Sequence, residues 1–228
     1  MNTYSIPLVW PKIHNVFLDM DGTLLDLHFD NYFWFEHLPI VYAQQQQLSI
    51  SKAKTFINKI FIETQGTLSM YCVDYWKKQL KLDIMALQKE IAHLITLRPY
   101  VPEFLDELRR CGKYITLVTN APSKSFELKM QHTQLKIYFD RIISSHETGF
   151  PKESQNFWQQ LQIIHPFQPH ATLLIDDNLT VLRAAKIYGI AHLLAIFQPN
   201  SHAKCKDVAE FNAIHQFMEI MPCCLSER

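Results

Sequence analysis

The sequence predicts an α/β protein in which a parallel sheet carries helices on both faces and a helical segment is inserted. Two observations support this. Beyond residue 98, short apolar runs alternate with stretches of helical periodicity, the pattern of strands in a parallel sheet. One further apolar run, at 14–19, stands apart from the others, because residues 26–97 read almost entirely as helix. The chain therefore begins its sheet, leaves it and returns.

The first strand is predicted at 14–19, because a short apolar run that ends in a carboxylate is typical of a buried strand. In the segment that follows, apolar residues recur at helical spacing from Ile50 to Phe61, and Gly66 closes this helix. A second stripe predicts a helix over 83–97, with Asp83 as its N-cap.

Strands and helices then alternate to the end of the chain. Strands are predicted at 114–118, 141–144, 171–175 and 190–197, and helices at 102–111, 123–132, 153–162, 179–188 and 206–221. This order divides the chain into an α/β core of residues 1–25 and 98–228 and an inserted helical domain of residues 26–97.

Glycine is scarce, with five in 228 residues, against an average of roughly 7% in proteins. No two of them lie close together. A P-loop needs two glycines within one short loop, and a dinucleotide-binding fingerprint needs three. Both kinds of phosphate site are therefore excluded, and any phosphate must be bound by other groups.

Charge and cysteine content favour a cytoplasmic protein with a small-molecule partner. Lys and Arg total 22, as do Asp and Glu, so no overall field attracts a nucleic acid polymer or an anionic membrane. No apolar run approaches the roughly 20 residues of a membrane span, and residues 1–10 lack the features of a signal peptide. The five cysteines, odd in number and without a CxxC pair, argue against a disulfide framework or zinc site.

Polar residues follow the predicted strands at the edge where open α/β sheets bind ligands. The first strand leads into Asp19, Asp21, Gly22 and Thr23, the second into Thr119 and Asn120, the third towards Lys152, and the fourth into Asp176 and Asp177. Carboxylates, a hydroxyl and one lysine are thus expected to converge on one crevice.

The run from Asp19 to Leu24 resembles the first motif of the haloacid dehalogenase-like hydrolases, most of which are magnesium-dependent phosphatases. Thr119, Lys152 and the acidic pair Asp176–Asp177 match the other three motifs of that family in order. The resemblance extends from about residue 16 to 197. It implies a Rossmann-like catalytic core in which residues 26–97 form an α-helical cap of the C1 type.

The two leading carboxylates suit phosphate monoester hydrolysis. A phosphate monoester is polyanionic, so an anionic nucleophile needs a metal ion to reduce the repulsion. Asp19 is expected to attack phosphorus and form an aspartyl-phosphate. Asp21 is expected to protonate the leaving alcohol and then to accept a proton from the hydrolytic water.

The resemblance also implies a metal and a phosphate site. Mg²⁺ would be held by Asp19, the backbone carbonyl of Asp21 and Asp177. Asp176 is a further ligand or an anchor for metal-bound water, with a helix N-cap as the rival interpretation. The phosphate-binding groups are expected to be Lys152, Thr119, Asn120 and the backbone at Gly22.

The inserted segment contains aromatic clusters that, together with residues 148–153, look close to the GMP/IMP 5′-nucleotidases of bacteria. Aromatic side chains suit a flat purine, although aromatics at helical spacing are often only packing residues. The candidate substrate contacts are Asn31, Tyr32, Trp34, Tyr71, Tyr75 and Trp76.

The function expected from these features is hydrolysis of a purine nucleoside monophosphate. The first alternative is a phosphatase of a small metabolite such as phosphoglycolate or a sugar phosphate, since related cores and caps serve such substrates. The second is a non-catalytic nucleotide-binding module. The filled set of catalytic positions argues against the second.

Overall fold

The fold is described from a computed structural model, which describes residues 8–222. Six parallel strands form one sheet in the order β3-β2-β1-β4-β5-β6. The strands are β1 (Asn15–Leu18), β2 (Tyr114–Thr119), β3 (Arg141–Ser144), β4 (Thr172–Ile175), β5 (His192–Ile196) and β6 (Ala213–Ile214). The predicted α/β class with a parallel sheet is confirmed.

Within residues 8–222, ten α-helices complete the fold. Five lie between β1 and β2: α1 (His28–Tyr32), α2 (Leu38–Gln46), α3 (Ile50–Thr64), α4 (Val73–Leu80) and α5 (Ile84–Glu90), with a π-helical turn, Phe33–His37, joining the first two. The others are α6 (Val101–Arg110), α7 (Ser123–Thr133), α8 (Ser145–Thr148), α9 (Gln155–Ile164) and α10 (Leu179–Tyr188).

Helices cover both faces of the sheet, and β1 lies in the middle of it. Val16 and Leu18 join one apolar cluster with residues of α6 and α7, whereas Phe17 joins a second cluster with residues of α9 and α10. Successive side chains of a strand point to opposite faces, so β1 must be apolar at its three buried positions, Val16, Phe17 and Leu18. This is why it reads as one uninterrupted apolar run.

The helical segment between β1 and β2 leaves and re-enters the sheet at one point. The backbone N–H of Asp26 donates to Thr96 O, and that of Arg98 donates to Leu24 O, each at 2.9 Å. Leu25 and Leu97 form an isolated antiparallel bridge between these two bonds. This pairing of residues 24–26 with residues 96–98 lies at the boundaries predicted for the inserted domain. The division into two domains stays a prediction.

The helix predicted over 83–97 begins as expected. The carboxylate of Asp83 accepts a hydrogen bond from the backbone N–H of Ala86 and caps α5, as predicted. The helix ends at Glu90, earlier than expected, and a 3₁₀ turn over Ala92–Leu94 follows.

The predicted C-terminal helix at 206–221 is wrong. The structure has the short strand β6, paired with β5, and a 3₁₀ turn at Phe217–Ile220. Buried apolar residues recur here every third position, at Val208, Phe211, Ile214, Phe217 and Ile220. That spacing resembles the apolar stripe of a helix. Here the same residues are buried because the strand and the turn cover the sheet edge and α6.

The expectation against disulfides is wrong at one residue. Cys72 and Cys205 are free thiols, whereas Cys111 is disulfide-bonded. Within residues 8–222, no helix combines the length and the apolar character needed to cross a membrane. Most of the N-terminal stretch used to argue against a signal peptide lies outside the described residues.

Replacing Phe217 by Ala should lower the free energy of unfolding by about 3–5 kcal/mol, because the ring is fully buried and packs on Phe104 with ring centroids 4.7 Å apart. The neighbouring Met218 is 49% exposed, so Met218→Ala should change stability by no more than about 0.5 kcal/mol. Urea denaturation followed by circular dichroism measures both. Equal, small effects would mean that the C-terminal segment does not stabilise the sheet.

Candidate active site

The predicted catalytic residues meet at the carboxyl edge of the sheet. Parallel strands end on the same side, so the loops after β1, β2 and β4 lie together. They border a cavity of about 270 Å³, close to the lower end of the roughly 300–1,000 Å³ usual for small-molecule sites. The predicted residues on its wall are Asp19, Asp21, Thr119, Asn120, Lys152, Asp176 and Asp177.

The Lys152 ammonium group lies between two carboxylates at the base of the cavity. Its Nζ donates to Asp19 Oδ1 at 2.6 Å, to Asp176 Oδ2 at 2.7 Å and to the carbonyl of Val118 at 3.0 Å. Burial lowers the pKa of Lys152, but the two carboxylates outweigh burial and raise the pKa above its usual value. The lysine is therefore a fixed positive charge.

The second oxygen of Asp19 is free. Asp19 Oδ2 is buried and has no hydrogen-bond partner among the described residues. Burial raises the pKa of Asp19, and Lys152 opposes that shift. A buried polar atom without a partner costs free energy, which makes this oxygen the natural place for a ligand or metal ion.

Asp19 and two neighbouring carboxylates can together bind a cation. Oxygens of Asp19, Asp176 and Asp177 lie within 4.8 Å of one another. Burial, followed by the charge of Asp19, raises the pKa of Asp177 to about 6, and Lys206, whose Nζ is 3.5 Å from Asp177 Oδ2, opposes it. Hard oxygen donors at this spacing fit a divalent ion such as Mg²⁺.

The contacts of Asp176 test the interpretation that it is a helix N-cap. The N-cap of α10 is Asn178, whose side chain accepts from the backbone N–H of Thr180. Asp176 lies outside the helix and accepts from the backbone N–H of Asn178 at 2.8 Å. The interpretation of Asp176 as the N-cap is therefore wrong. Its Oδ2 accepts from Lys152, and its Oδ1 holds the backbone of the cap residue Asn178.

Gly22 allows the loop after β1 to approach the acidic cluster. Its φ of +86° is in the left-handed region, and a Cβ built on it would lie 2.8 Å from Asp177 Cγ and 2.9 Å from Asp177 Oδ2. The backbone N–H of Asp177 in turn donates to Thr23 Oγ1 at 3.1 Å. Only glycine lets these two loops touch without displacing the Asp177 carboxylate.

Asp21 has a partner that the sequence did not suggest. Lys129 Nζ, on α7, donates to Asp21 Oδ1 at 2.7 Å and to both oxygens of Asp30 at 2.7 and 2.8 Å. Burial, and then the charge of Asp30, raises the pKa of Asp21 to about 6 despite Lys129. Lys129 and Asp30 also line the cavity.

Thr119 and Asn120 shape the loop after β2. The backbone N–H of Ala121 donates to Thr119 Oγ1 at 3.0 Å, and that of Lys152 donates to Asn120 Oδ1 at 3.0 Å. The Asn120 amide donates to Glu153 Oε2 at 3.0 Å. The loop that carries the hydroxyl is therefore bonded directly to the segment that carries the lysine.

Glu153, also missed from the sequence, joins the helical segment to this edge of the sheet. Its Oε1 accepts from Tyr71 Oη at 2.7 Å and from Asn178 Nδ2 at 3.2 Å. Burial and the nearby Glu153 charge raise the pKa of Tyr71, so the phenol keeps its proton and is the donor of this hydrogen bond. The one signal for Glu153 was its place directly after Lys152.

Half of the predicted substrate contacts lie on the cavity wall. Asn31, Trp34 and Tyr71 line it. Trp76 is fully buried and its Nε1 donates to Met70 O, while Tyr32 and Tyr75 lie off the wall. The remaining apolar lining comes from residues that were not selected as substrate contacts: Leu27, Phe35, Phe61, Met70, Val73, Ala121, Pro122 and Val181.

The comparisons with known proteins agree with this geometry. A family model described as haloacid dehalogenase-like hydrolase matches residues 16–195. The GMP/IMP nucleotidase YrfG of Escherichia coli K12 is 35% identical over 217 residues, which cover 95% of this chain and 98% of that protein. A phosphoglycolate phosphatase of Vibrio vulnificus is 32% identical over 104 residues, 45% of this chain and 43% of that protein. The crystal structure of a phosphatase from Thermococcus onnurineus superposes with a TM-score of 0.74 at 21% identity, over 91% of this chain and 95% of that one.

Replacing Gly22 by Ala should weaken Mg²⁺ binding by about tenfold, because the new methyl group displaces the Asp177 carboxylate. Gly112→Ala is the matched control: its φ is also positive, at +63°, but no atom lies within 4 Å of the added Cβ. Both variants should lose about 1 kcal/mol of stability from backbone strain. Isothermal titration with Mg²⁺ should separate them, and equal affinities would contradict the contact argument.

Proposed function

This chain belongs to the haloacid dehalogenase-like hydrolases, and we propose that it is a magnesium-dependent phosphatase of purine nucleoside 5′-monophosphates, GMP and IMP. The observation that carries the proposal is the free, buried Oδ2 of Asp19 beside Lys152 and two further carboxylates. These groups combine a nucleophile, a fixed cation and a metal site in one cavity.

The first half of the reaction forms an aspartyl-phosphate. An oxygen of Asp19 attacks phosphorus as the bond from phosphorus to the ester oxygen breaks. The electron pair of that bond passes to the ester oxygen, which takes the proton of the Asp21 carboxyl group and leaves as the nucleoside alcohol. A carboxyl pKa of about 6 suits Asp21 to proton transfer near neutral pH.

The second half restores the enzyme. A water oxygen attacks phosphorus and gives its proton to the Asp21 carboxylate, while the bond from phosphorus to Asp19 breaks and releases inorganic phosphate. The Thr119 hydroxyl and backbone N–H groups near Gly22 and Asn120 would hold the phosphoryl oxygens. Lys152 Nζ, whose three donors face Asp19, Asp176 and the Val118 carbonyl, would exchange one of these acceptors for a phosphoryl oxygen. Mg²⁺ held by Asp19, Asp177, Asp176 and the backbone carbonyl of Asp21 would reduce the repulsion between carboxylates and phosphate.

The nucleoside is assigned to the side of the cavity formed by the helical segment. Trp34, with Phe61 and Phe35 beside it, offers a flat apolar wall for a purine, and Asn31 and Gln88 offer polar groups for its edge. The nucleotidase relative at 35% identity supports this choice of substrate. Residues 26–97 would then act as the cap that selects the leaving group over the core of residues 1–25 and 98–228.

A small phosphorylated metabolite such as phosphoglycolate or a sugar phosphate is the second candidate. The Vibrio vulnificus relative supports it, but over less than half of the chain. The aromatic residues on the cavity wall favour a substrate that carries a base. A cytoplasmic location stays a prediction, and the disulfide at Cys111 removes one of its arguments.

The purified enzyme with Mg²⁺ should hydrolyse IMP and GMP with a kcat/KM at least about tenfold above that for phosphoglycolate or ribose 5-phosphate, because only the nucleotides fill the aromatic part of the cavity. Release of inorganic phosphate measures the panel. Addition of EDTA should stop turnover, and excess Mg²⁺ should restore it. A preference for phosphoglycolate would exclude the nucleotide assignment and keep the phosphatase.

Asp19→Asn is the control for the chemistry in that panel. It removes the nucleophile but keeps the size of the side chain, and Lys152 retains its ion pair with Asp176. The variant should be folded by circular dichroism and inactive on every substrate. Retained turnover would exclude an aspartyl-phosphate at this residue.

Replacing Trp34 by Leu should raise the KM for IMP by about tenfold and leave the KM for ribose 5-phosphate unchanged, since stacking on a base contributes about 1–3 kcal/mol. Phe56→Leu is the control, because this aromatic of the same segment is 40% exposed and does not line the cavity. Steady-state kinetics on both substrates measures the difference. A parallel rise for both substrates would mean that Trp34 packs the segment without contacting the base.

A further inference from the structure

Lys129 is a lysine that the proposed reaction does not use, yet it lies inside the cavity. Its side chain is 2% exposed and projects from α7 between the carboxylates of Asp21 and Asp30, which lie 108 and 99 residues earlier in the sequence. The Phe29 ring also faces its Nζ, at 5.2 Å from the ring centroid. The inference drawn from this lysine rests on the proposed function.

A purely structural role explains this residue poorly. A buried ammonium group loses its hydration, and well-packed apolar side chains often replace buried ion pairs without loss of stability. The Phe29 ring lies beside the ammonium group, and a methionine at this position could pack against that ring. The charge itself therefore calls for a further reason.

The hydrogen bonds define how Lys129 holds its neighbours. An ammonium group has three N–H donors, and here three acceptor oxygens surround it: one of Asp21 and two of Asp30. Of the two carboxylate oxygens of Asp21, only Oδ1 accepts a hydrogen bond from a residue within 8–222. Oδ2 belongs to a carboxylate that lines the cavity and is left available.

We propose that Lys129 is a positioning residue that holds Asp21 Oδ1 so that Oδ2 faces the ester oxygen of the substrate. Asp30, from the first helix of the inserted segment, fixes the lysine from the other side. In the first half-reaction, the proton leaves Asp21 Oδ2 for the ester oxygen as the bond to phosphorus breaks. In the second, the same oxygen accepts the proton of the attacking water. The acid–base group is therefore complete only when α1 lies against α7.

Leaving-group dependence separates this role from a structural one. The ribose alkoxide is a poor leaving group and needs a proton, whereas p-nitrophenolate is stable and leaves without one. Rapid mixing of Lys129→Met with IMP should show formation of the phosphoenzyme slowed about 100-fold. With p-nitrophenyl phosphate the same variant should still release about one p-nitrophenol per site in a fast burst. A slow steady state should follow, because hydrolysis of the aspartyl-phosphate still needs Asp21.

Asp30→Asn is the second variant and keeps the lysine. The substitution removes the negative charge of Asp30, which holds Lys129 from one side. Asp30 is partly exposed, so this variant should fold even if Lys129→Met does not. It should show the same dependence on the leaving group with a smaller loss of activity. Lys124→Met is the matched control. Lys124 lies on the same helix and also pairs with the inserted segment, at 3.2 Å from Asp74, but both side chains are exposed and neither lines the cavity. Its kinetics should equal those of the wild type.

Equal losses on IMP and p-nitrophenyl phosphate in both Lys129→Met and Asp30→Asn would overturn the proposal, because a structural defect does not distinguish leaving groups. Unchanged kinetics in the two variants would overturn it as well. If the wild-type enzyme rejects IMP, the proposed substrate fails but the test stands. The comparison is then made between p-nitrophenyl phosphate and the alkyl phosphate that the wild type hydrolyses best.

Discussion

The ion pairs of Lys152 are the interaction on which the rest of the site depends. The acidic residues at this edge of the sheet are buried, and burial raises the pKa of Asp19, Asp176 and Asp177. One ammonium group within 2.6–2.7 Å of two of them opposes that effect, because it stabilises their charged forms. Without this cation, burial and mutual repulsion would favour protonated carboxyls, which make poor nucleophiles and poor metal ligands.

The parallel sheet makes this arrangement possible. Asp19 follows β1 and Asp176 follows β4, its hydrogen-bonded neighbour, so their carboxylates meet without any long connection. Lys152 comes from a loop that Asn120 holds in place through a backbone hydrogen bond. The site is thus assembled from strand ends whose positions the buried core fixes, and the inserted segment adds the aromatic residues of the cavity wall.

The sequence predicted the strand ends and missed the contacts between distant segments. Asp19 and Asp176 could be located because an apolar run stops at each of them. Lys129 could not be paired in the same way, since its partners Asp21 and Asp30 lie on another part of the chain and no local pattern joins them. Periodicity likewise could not separate Trp34, on the cavity wall, from Trp76, in the core, and a spacing of three made the buried strand near Ile214 resemble a helix.

Two buried lysines divide the chemistry between them. Lys152 contacts the proposed nucleophile Asp19 on the phosphate side, and Lys129 contacts the proposed acid–base residue Asp21 on the leaving-group side. Lys152 lies on the side where a glycine-rich loop would supply backbone N–H groups to phosphate, whereas Lys129 does not. The two lysines also differ in what anchors them. Lys152 is bonded wholly within the sheet edge, whereas Lys129 needs Asp30 from the inserted segment. Phosphate binding can therefore be preformed, while proton transfer depends on how the segment lies over the substrate.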